Sequence, residues 1–291
     1  MKTRFKGHET FYFRDGWMTK VFTEIHSNNN YTLFTGNNGI PRLGVGSNMV
    51  KSIKYWMTTC NLLKYVRHKQ QGYDLSDLGK VIAGNDFYLE DMFSLWILHI
   101  NLVLNKENAT TWYIFFNLFQ AENFTVEEAF QSIRNILNQR DVKYAPKSVE
   151  SDVNVLLNMY TRKNVKNEPE ENFTCPLSRL NLIKVSGDQY YKTTPNLNSL
   201  SEFAIFYAII CLMGENTNHI SITNLENDDE SLTHIFNINR VIINDYLEKL
   251  AIQGYIRVER TAGLDMLYLQ RKMSPLDIVK EYYLRRKQNE I

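Results

Sequence analysis

The sequence predicts a mainly α fold with small β-hairpins, an α+β protein made of tandem winged-helix-like units packed together. Two observations carry this prediction. Three stretches, 61–76, 180–194 and 253–269, alternate apolar and polar residues around a glycine-containing turn, as half-buried hairpins do. Each stretch follows a run whose apolar residues recur with helical spacing. Helices followed by a hairpin are the element order of a winged helix.

The first predicted unit covers residues 1–90. An opening helix is expected in RDGWMTKVFTEI, where Trp17, Val21 and Ile25 share one side. A second helix leads into the first hairpin and has an apolar stripe at i, i+4, i+7 and i+11. The stripe consists of Met49, Ile53, Trp56 and Cys60.

The second predicted unit covers residues 91–197. It begins with two helices, EDMFSLWILHINLVL and TVEEAFQSIRNILNQ, the latter with Thr125 as N-cap and Glu128 three residues on. The aromatic run TTWYIFFNLF is expected to fill the core. The helix that precedes its hairpin has its own apolar stripe. The stripe consists of Val149, Val153, Leu156 and Tyr160.

The third predicted unit covers residues 198–291. Its first helix, in LSEFAIFYAIICLMG, is apolar nearly all round and should therefore be buried. The helix NRVIINDYLEKL precedes the last hairpin. Its apolar stripe consists of Ile243, Tyr246, Leu247 and Leu250.

Charge is distributed unevenly along the chain. Overall, 33 Lys and Arg residues nearly balance 32 Asp and Glu residues. Residues 1–70, however, contain 11 basic against 3 acidic residues, a net charge of +8, and residues 71–130 contain 2 against 9, a net charge of −7. The N-terminal block therefore predicts an anion-binding face that the whole-chain charge conceals.

The sequence favours a cytoplasmic location and predicts no membrane contact. The start, MKTRFKGHET, has no apolar run behind its basic residues, unlike a signal peptide. The longest apolar stretch, Phe93 to Leu104, is too short to span a bilayer.

The stretch PRLGVGSNMVKSIKYWM predicts a DNA-contacting helix. Gly44-Val45-Gly46 completes neither the P-loop nor the dinucleotide fingerprint, so the glycines are expected to start a helix that Ser47 caps. The outer face of this helix has donors and positive charge, which suits a major groove. A solvated helix face is the alternative. The residues predicted to contact DNA are Arg14, Arg42, Ser47, Asn48, Lys51, Ser52, Lys54 and Tyr55.

The corresponding helix of the third unit differs, because Asp245 and Glu248 would repel phosphates. A packing or protein-contact role is expected there. The central unit is expected to contribute little to DNA binding.

His8 and Glu9 are the only candidates for catalysis. They could form an acid/base pair or bind a metal, but HExxH is not completed because residue 12 is Tyr. The remaining histidines show no ligand spacing. A structural polar anchor is the alternative to catalysis for this pair. The sequence predicts no cofactor and no metal.

The sequence resembles the bacterial domain-of-unknown-function family 4007, because several of that family's motifs occur here in the same order. They are FKGHETFYFRDGWMTK at 5–20, LGVGSNMVKSIKYWM at 43–57, CPLSRLNLI at 175–183 and the final VKEYYLRR. One departure is Ser47, where the family usually has Lys. The resemblance implies an accessory protein encoded beside DNA phosphorothioation and phage-defence genes, with no established enzymatic activity.

We therefore expect a non-enzymatic DNA-binding subunit of a DNA-modification or defence system. Its expected partners are double-stranded DNA and other proteins of that system. One alternative is an enzyme, a nuclease or sulfur-transfer component, that uses His8 and Glu9. The other is a transcriptional regulator of the neighbouring operon, which would bind a palindrome as a homodimer.

Overall fold

The structure is a computed structural model that describes residues 2–67, 71–161, 174–214, 217–261 and 264–289. It divides into two compact units, Met1–Thr193 and Thr194–Ile291. The described chain is mainly helical with small antiparallel sheets, which confirms the α+β class. The division into 1–90, 91–197 and 198–291 stays a prediction, and residue 90 lies inside the first compact unit.

The first part of the unit Met1–Thr193 has the predicted order of helices followed by a hairpin. In chain order its elements are α1 Trp17–Phe22, a π-helical turn Thr23–Ser27, α2 Gly39–Leu43, α3 Ser47–Thr59, β1 Leu63–Val66, β2 Gly72–Leu75 and α4 Asp77–Asn85. The apolar side predicted for the opening helix is buried, at Trp17, Val21 and Ile25. On α3 the stripe is confirmed at Ile53, Trp56 and Cys60, but Met49 is half-exposed.

The rest of the first unit is a helical core with a small sheet. Its elements are α5 Met92–Val103, α6 Thr110–Asn117, β3 Asn123–Phe124, α7 Val126–Gln139, α8 Pro146–Tyr160, a 3-10 helix Pro176–Leu180, β4 Ile183–Ser186 and β5 Gln189–Lys192. α7 begins with the predicted capping box, in which Glu128 N–H donates to Thr125 Oγ1 and Thr125 N–H donates to the Glu128 carboxylate. The whole predicted stripe of α8 is buried.

The second and third hairpins are parts of larger sheets than the sequence predicted. In the first unit β5 lies between β3 and β4, so Tyr190 faces both Phe124 and Val185. In the second unit β8 lies between β6 and β7. The two-residue β3 and three-residue β6 are too short to show a strand pattern in the sequence.

The second unit has one buried central helix. Its elements are a 3-10 helix Leu197–Ser199, α9 Glu202–Met213, β6 His219–Ser221, α10 Ile222–Asn227, α11 Leu232–Phe236, α12 Arg240–Ile252, β7 Ile256–Thr261, β8 Leu264–Leu269 and α13 Pro275–Asn289. Every residue from Phe203 to Ile210 is buried, which confirms the prediction for α9. The predicted stripe of α12 is buried as well.

That these units are winged helices stays a prediction. The first hairpin spans 63–75 and the third 256–269, and their turns at 68–70 and 262–263 lie outside the described residues. Among the helices of the described ranges, none combines the length and the hydropathy needed to cross a bilayer.

Candidate nucleic-acid interface

The connection between α2 and α3 is a tight turn built on glycine. α2 ends at Leu43, and the φ of its C-cap residue, Gly44, is +64°, in the left-handed region that favours glycine. The N-cap of α3 is Gly46, which offers no side-chain hydrogen bond, and Ser47 is the first helical residue. The expectation that Ser47 caps the helix is therefore wrong. Lys20 Nζ donates a hydrogen bond to the carbonyl oxygen of Leu43 at 2.8 Å, which gives this acceptor at the C-terminus of α2 a partner.

The outer side of this turn exposes four of the predicted residues: Arg42, Ser47, Asn48 and Lys51. Lys51 Nζ donates to Asn48 Oδ1 at 3.2 Å. Lys54 is half-buried, and its Nζ lies 4.2 Å from the ring centroid of Tyr73 in β2. Within the described ranges Arg42, Lys51 and Lys54 form no ion pair. Among the residues of these ranges, no carboxylate therefore lies within ion-pair distance of the three cations.

Ser52 and Tyr55 do not lie on the outer face, and this part of the sequence prediction is wrong. Ser52 is fully buried and its Oγ donates to the carbonyl of Phe11 at 3.1 Å. The Tyr55 hydroxyl donates to the carbonyl of Asn108 at 2.7 Å, and burial raises its pKa. The N-terminal segment and the loop before α6 therefore cover a second side of α3. Neither side chain is available to DNA.

Arg14 belongs to an aromatic cluster. Its guanidinium lies between 5.4 and 5.7 Å from the ring centroids of Phe11, Tyr12 and Trp17. The side chain is half-buried. Its surroundings are those of a cation packed on rings, and the structure gives its predicted phosphate contact no support.

His8 is fully buried. Its Nδ1 accepts the N–H of Thr10 at 3.1 Å, so Nε2 carries the proton and donates to Asp152 Oδ1 at 2.8 Å. The same carboxylate accepts the N–H of Lys6 at 2.8 Å and the hydroxyl of Thr111 at 2.7 Å. Both ring nitrogens are occupied by the protein itself, and no face of the ring reaches solvent. The geometry is that of a structural anchor.

Glu9 is not part of this network. It is half-exposed and has a positive φ of 50° in the turn after His8. The two neighbours in sequence therefore point to different environments, which does not support the predicted acid/base or metal-binding pair.

In the second unit, the arginine at the start of α12 lies close to two acidic side chains. Arg240, at the start of α12, lies 3.3 Å from Glu226 and 3.6 Å from Asp265. Arg260 in β7 donates to Asn244 Oδ1 at 2.6 Å. Burial raises the pKa of Glu226, and the Arg240 charge opposes that shift. This region offers a phosphate much less unpaired positive charge than α3 does.

The residues predicted to contact DNA did not include any from the first hairpin, where the structure exposes an aromatic ring and a cation. Tyr65 in β1 is directly opposite Tyr73 in β2, and Arg67 follows as an exposed cation. The signal available in the sequence was the presence of a tyrosine and an arginine, two residues apart, in the predicted hairpin. Exposed residues of this hairpin therefore lie beside α3, whose Lys54 contacts Tyr73.

Two solved structures are similar to this chain over nearly its whole length. The "Magnesium ion-bound SspB crystal structure" has 25% sequence identity and a TM-score of 0.83, with 98% of this chain and 88% of that chain covered. The "SspB crystal structure" has 26% identity and a TM-score of 0.81 with the same coverage. No protein with a curated description matches the sequence. In the described part of this chain, no group of three or more His, Cys, Asp or Glu side chains could hold a metal ion.

Residues 5–283 match the family described as "Protein of unknown function (DUF4007)". This match covers nearly the whole chain and agrees with the ordered motifs that the sequence contains. The chain therefore belongs to the DUF4007 family.

Proposed function

We propose that this protein is a non-enzymatic, DNA-binding accessory subunit of a bacterial DNA-modification system of the phosphorothioation type, or of a related phage-defence system. It contacts duplex DNA through Arg42 and the outer face of α3. Membership of DUF4007 and the likeness to SspB support the setting. Its protein partners are other components of that system.

The observation that carries this proposal is the contrast between two sets of cations. Lys64 and Lys80 form ion pairs with Asp77 and Asp74, at 2.9 and 2.7 Å. The cations on the α3 side have no such partner within the described residues. Phosphates are attracted most strongly where positive charge is exposed and not neutralised locally, so this side is the favoured contact with the DNA backbone.

The direct test is the double variant Lys51→Glu with Lys54→Glu. If each lysine neutralises one phosphate, its loss lowers the slope of log Kobs against log salt by about 0.9, or about 1.8 for the pair. Binding to a labelled duplex is measured by gel shift or anisotropy over a salt series. The matched control is Lys143→Glu with Lys147→Glu, which makes the same charge change at exposed lysines of the central region.

Unchanged duplex binding in the Lys51 and Lys54 variant, or an equal loss in the control, would contradict the proposal. The two alternatives have their own signatures. Loss of DNA modification in His8→Ala, with folding and DNA binding intact, would favour an enzyme. Selective binding of the neighbouring operon's promoter by a dimer would favour a transcriptional regulator.

A further inference from the structure

The first hairpin presents an exposed aromatic ring beside the basic face of α3. Tyr65 is 52% exposed, although large apolar and aromatic side chains are usually covered. It is directly opposite Tyr73 in the antiparallel pair, and the two ring centroids lie 5.4 Å apart with an interplanar angle of 70°. One face of this edge-to-face pair therefore remains accessible at Tyr65.

The pair is fixed by its surroundings. The ring of Tyr73 packs edge-to-face against Phe34 at 6.0 Å, and Phe34 is itself nearly buried. The backbone N–H of Tyr73 donates to the carbonyl of Tyr31 at 2.8 Å, which attaches β2 to the preceding loop. Tyr65 thus rests on a support that is already ordered, so a ligand that stacks on it need not order the support first.

Lys54 connects the Tyr65–Tyr73 ring pair with the basic face of α3. Its Nζ lies over the ring of Tyr73 at 4.2 Å. Because this ammonium already covers the Tyr73 ring, Tyr65 is the ring that remains free to stack, and Tyr73 positions it. Arg67, which directly follows β1 and lies two residues beyond Tyr65, adds an exposed cation.

We propose that Tyr65 stacks on a nucleobase that is not held in a duplex stack, so that this face prefers DNA with an unpaired nucleotide over continuous duplex. This inference rests on the proposed function, because α3 supplies the cations that hold the phosphates. A base inside a duplex presents no free ring face, whereas an unpaired base does. Aromatic rings next to a cationic groove are the elements that bind single-stranded nucleic acid.

The test compares two labelled DNAs of one sequence, a full duplex and the same duplex with a central unpaired bubble. Binding is measured by anisotropy for the wild type and for Tyr65→Ala, Tyr65→Phe and Tyr88→Ala. Tyr88 is the matched control, because it is 70% exposed and packs on Phe87 at 5.3 Å. It stands in the acidic segment, between Asp86 and Glu90.

The wild type is expected to bind the bubble more tightly than the duplex. Tyr65→Ala weakens bubble binding by about 5- to 150-fold, which corresponds to the loss of one base stack worth about 1–3 kcal/mol. It leaves duplex binding unchanged. Tyr65→Phe retains the preference because the ring remains, and Tyr88→Ala has no effect on either DNA.

An equal loss on both DNAs, or no greater loss on the bubble than Tyr88→Ala causes, overturns this inference. If the Lys51 and Lys54 variant still loses duplex binding in that case, the proposed function stands and only the stacking role fails. If the Lys51 and Lys54 variant binds both DNAs as tightly as the wild type does, the proposed function fails. The stacking inference, which rests on that function, then fails too.

Discussion

Removing the carboxylate of Asp152 should destabilise the first unit strongly. This carboxylate accepts three hydrogen bonds, from His8 Nε2, Lys6 N and Thr111 Oγ1. They connect the N-terminal segment to α8 and α6, across a sequence separation of 144 residues in the case of His8. The ring of His8 also stacks on Trp56 of α3 at 5.7 Å, with an interplanar angle of 5°. The network therefore helps to hold α3 in place.

The magnitude follows from what Asp152→Ala leaves behind. The His8 ring and the Thr111 hydroxyl are fully buried, so two donors lose their acceptor without access to water. Each unsatisfied buried donor costs about 1–3 kcal/mol. With two such donors, we expect a loss of about 2–6 kcal/mol in the free energy of unfolding. Glu150→Ala, at an exposed position of the same helix, should change it by less than about 0.5 kcal/mol.

Denaturant unfolding followed by tryptophan fluorescence is suited to this measurement. All four tryptophans, at positions 17, 56, 96 and 112, lie in the first unit, so the signal reports on that unit alone. A double-mutant cycle with His8→Ala should show coupling, because the two side chains share a contact. If Asp152→Ala costs no more than Glu150→Ala, or if the cycle is additive, the anchor interpretation is refuted.

Two further predictions concern stability. Lys192 donates to two backbone carbonyls at the end of α6, and burial lowers its pKa to about 7. Between pH 7 and 10 the unfolded chain holds this proton and the folded chain does not, so unfolding takes up a proton and stability rises with pH, by at most about 1.4 kcal/mol per pH unit. Lys192→Met should lack this rise in denaturant titrations at several pH values. Gly79→Ala should cost about 1–3 kcal/mol, because its Cβ would lie 2.3 Å from the Leu62 carbonyl oxygen. Gly84→Ala, on the same helix with open space around it, should be neutral or stabilising in the same assay, and equal effects would contradict the steric argument.

Helix positions could be predicted from the sequence wherever a single apolar stripe determines which side of the helix is buried. The stripes of α8 and α12 are buried, and so is the all-round apolar α9, because burial of a helix face follows the 3.6-residue period directly. The period cannot show how many sides of a helix are covered. On α3 it identified Ile53 and Trp56 correctly, yet placed Ser52 and Tyr55 outside. A segment distant in sequence covers that second side, and no local pattern on α3 records it.

Strands were predictable only where they form a hairpin with a turn between them. β3 and β6 each join a sheet through a partner far along the chain, at Tyr190 and Leu267 for example. Two or three residues are too few for alternation to be recognised, and the pairing is decided by tertiary contacts.

The sequence by itself determined the helix stripes, the hairpins, the family motifs and the concentration of positive charge in residues 1–70. Only the tertiary structure decided which of those charges are free of partners. It pairs Lys64 with a carboxylate, packs Arg14 among rings and leaves Lys51 exposed. The physical reason is that a periodic pattern depends on neighbours within a few residues, whereas ion pairing, ring packing and burial depend on groups that meet only when distant segments fold together.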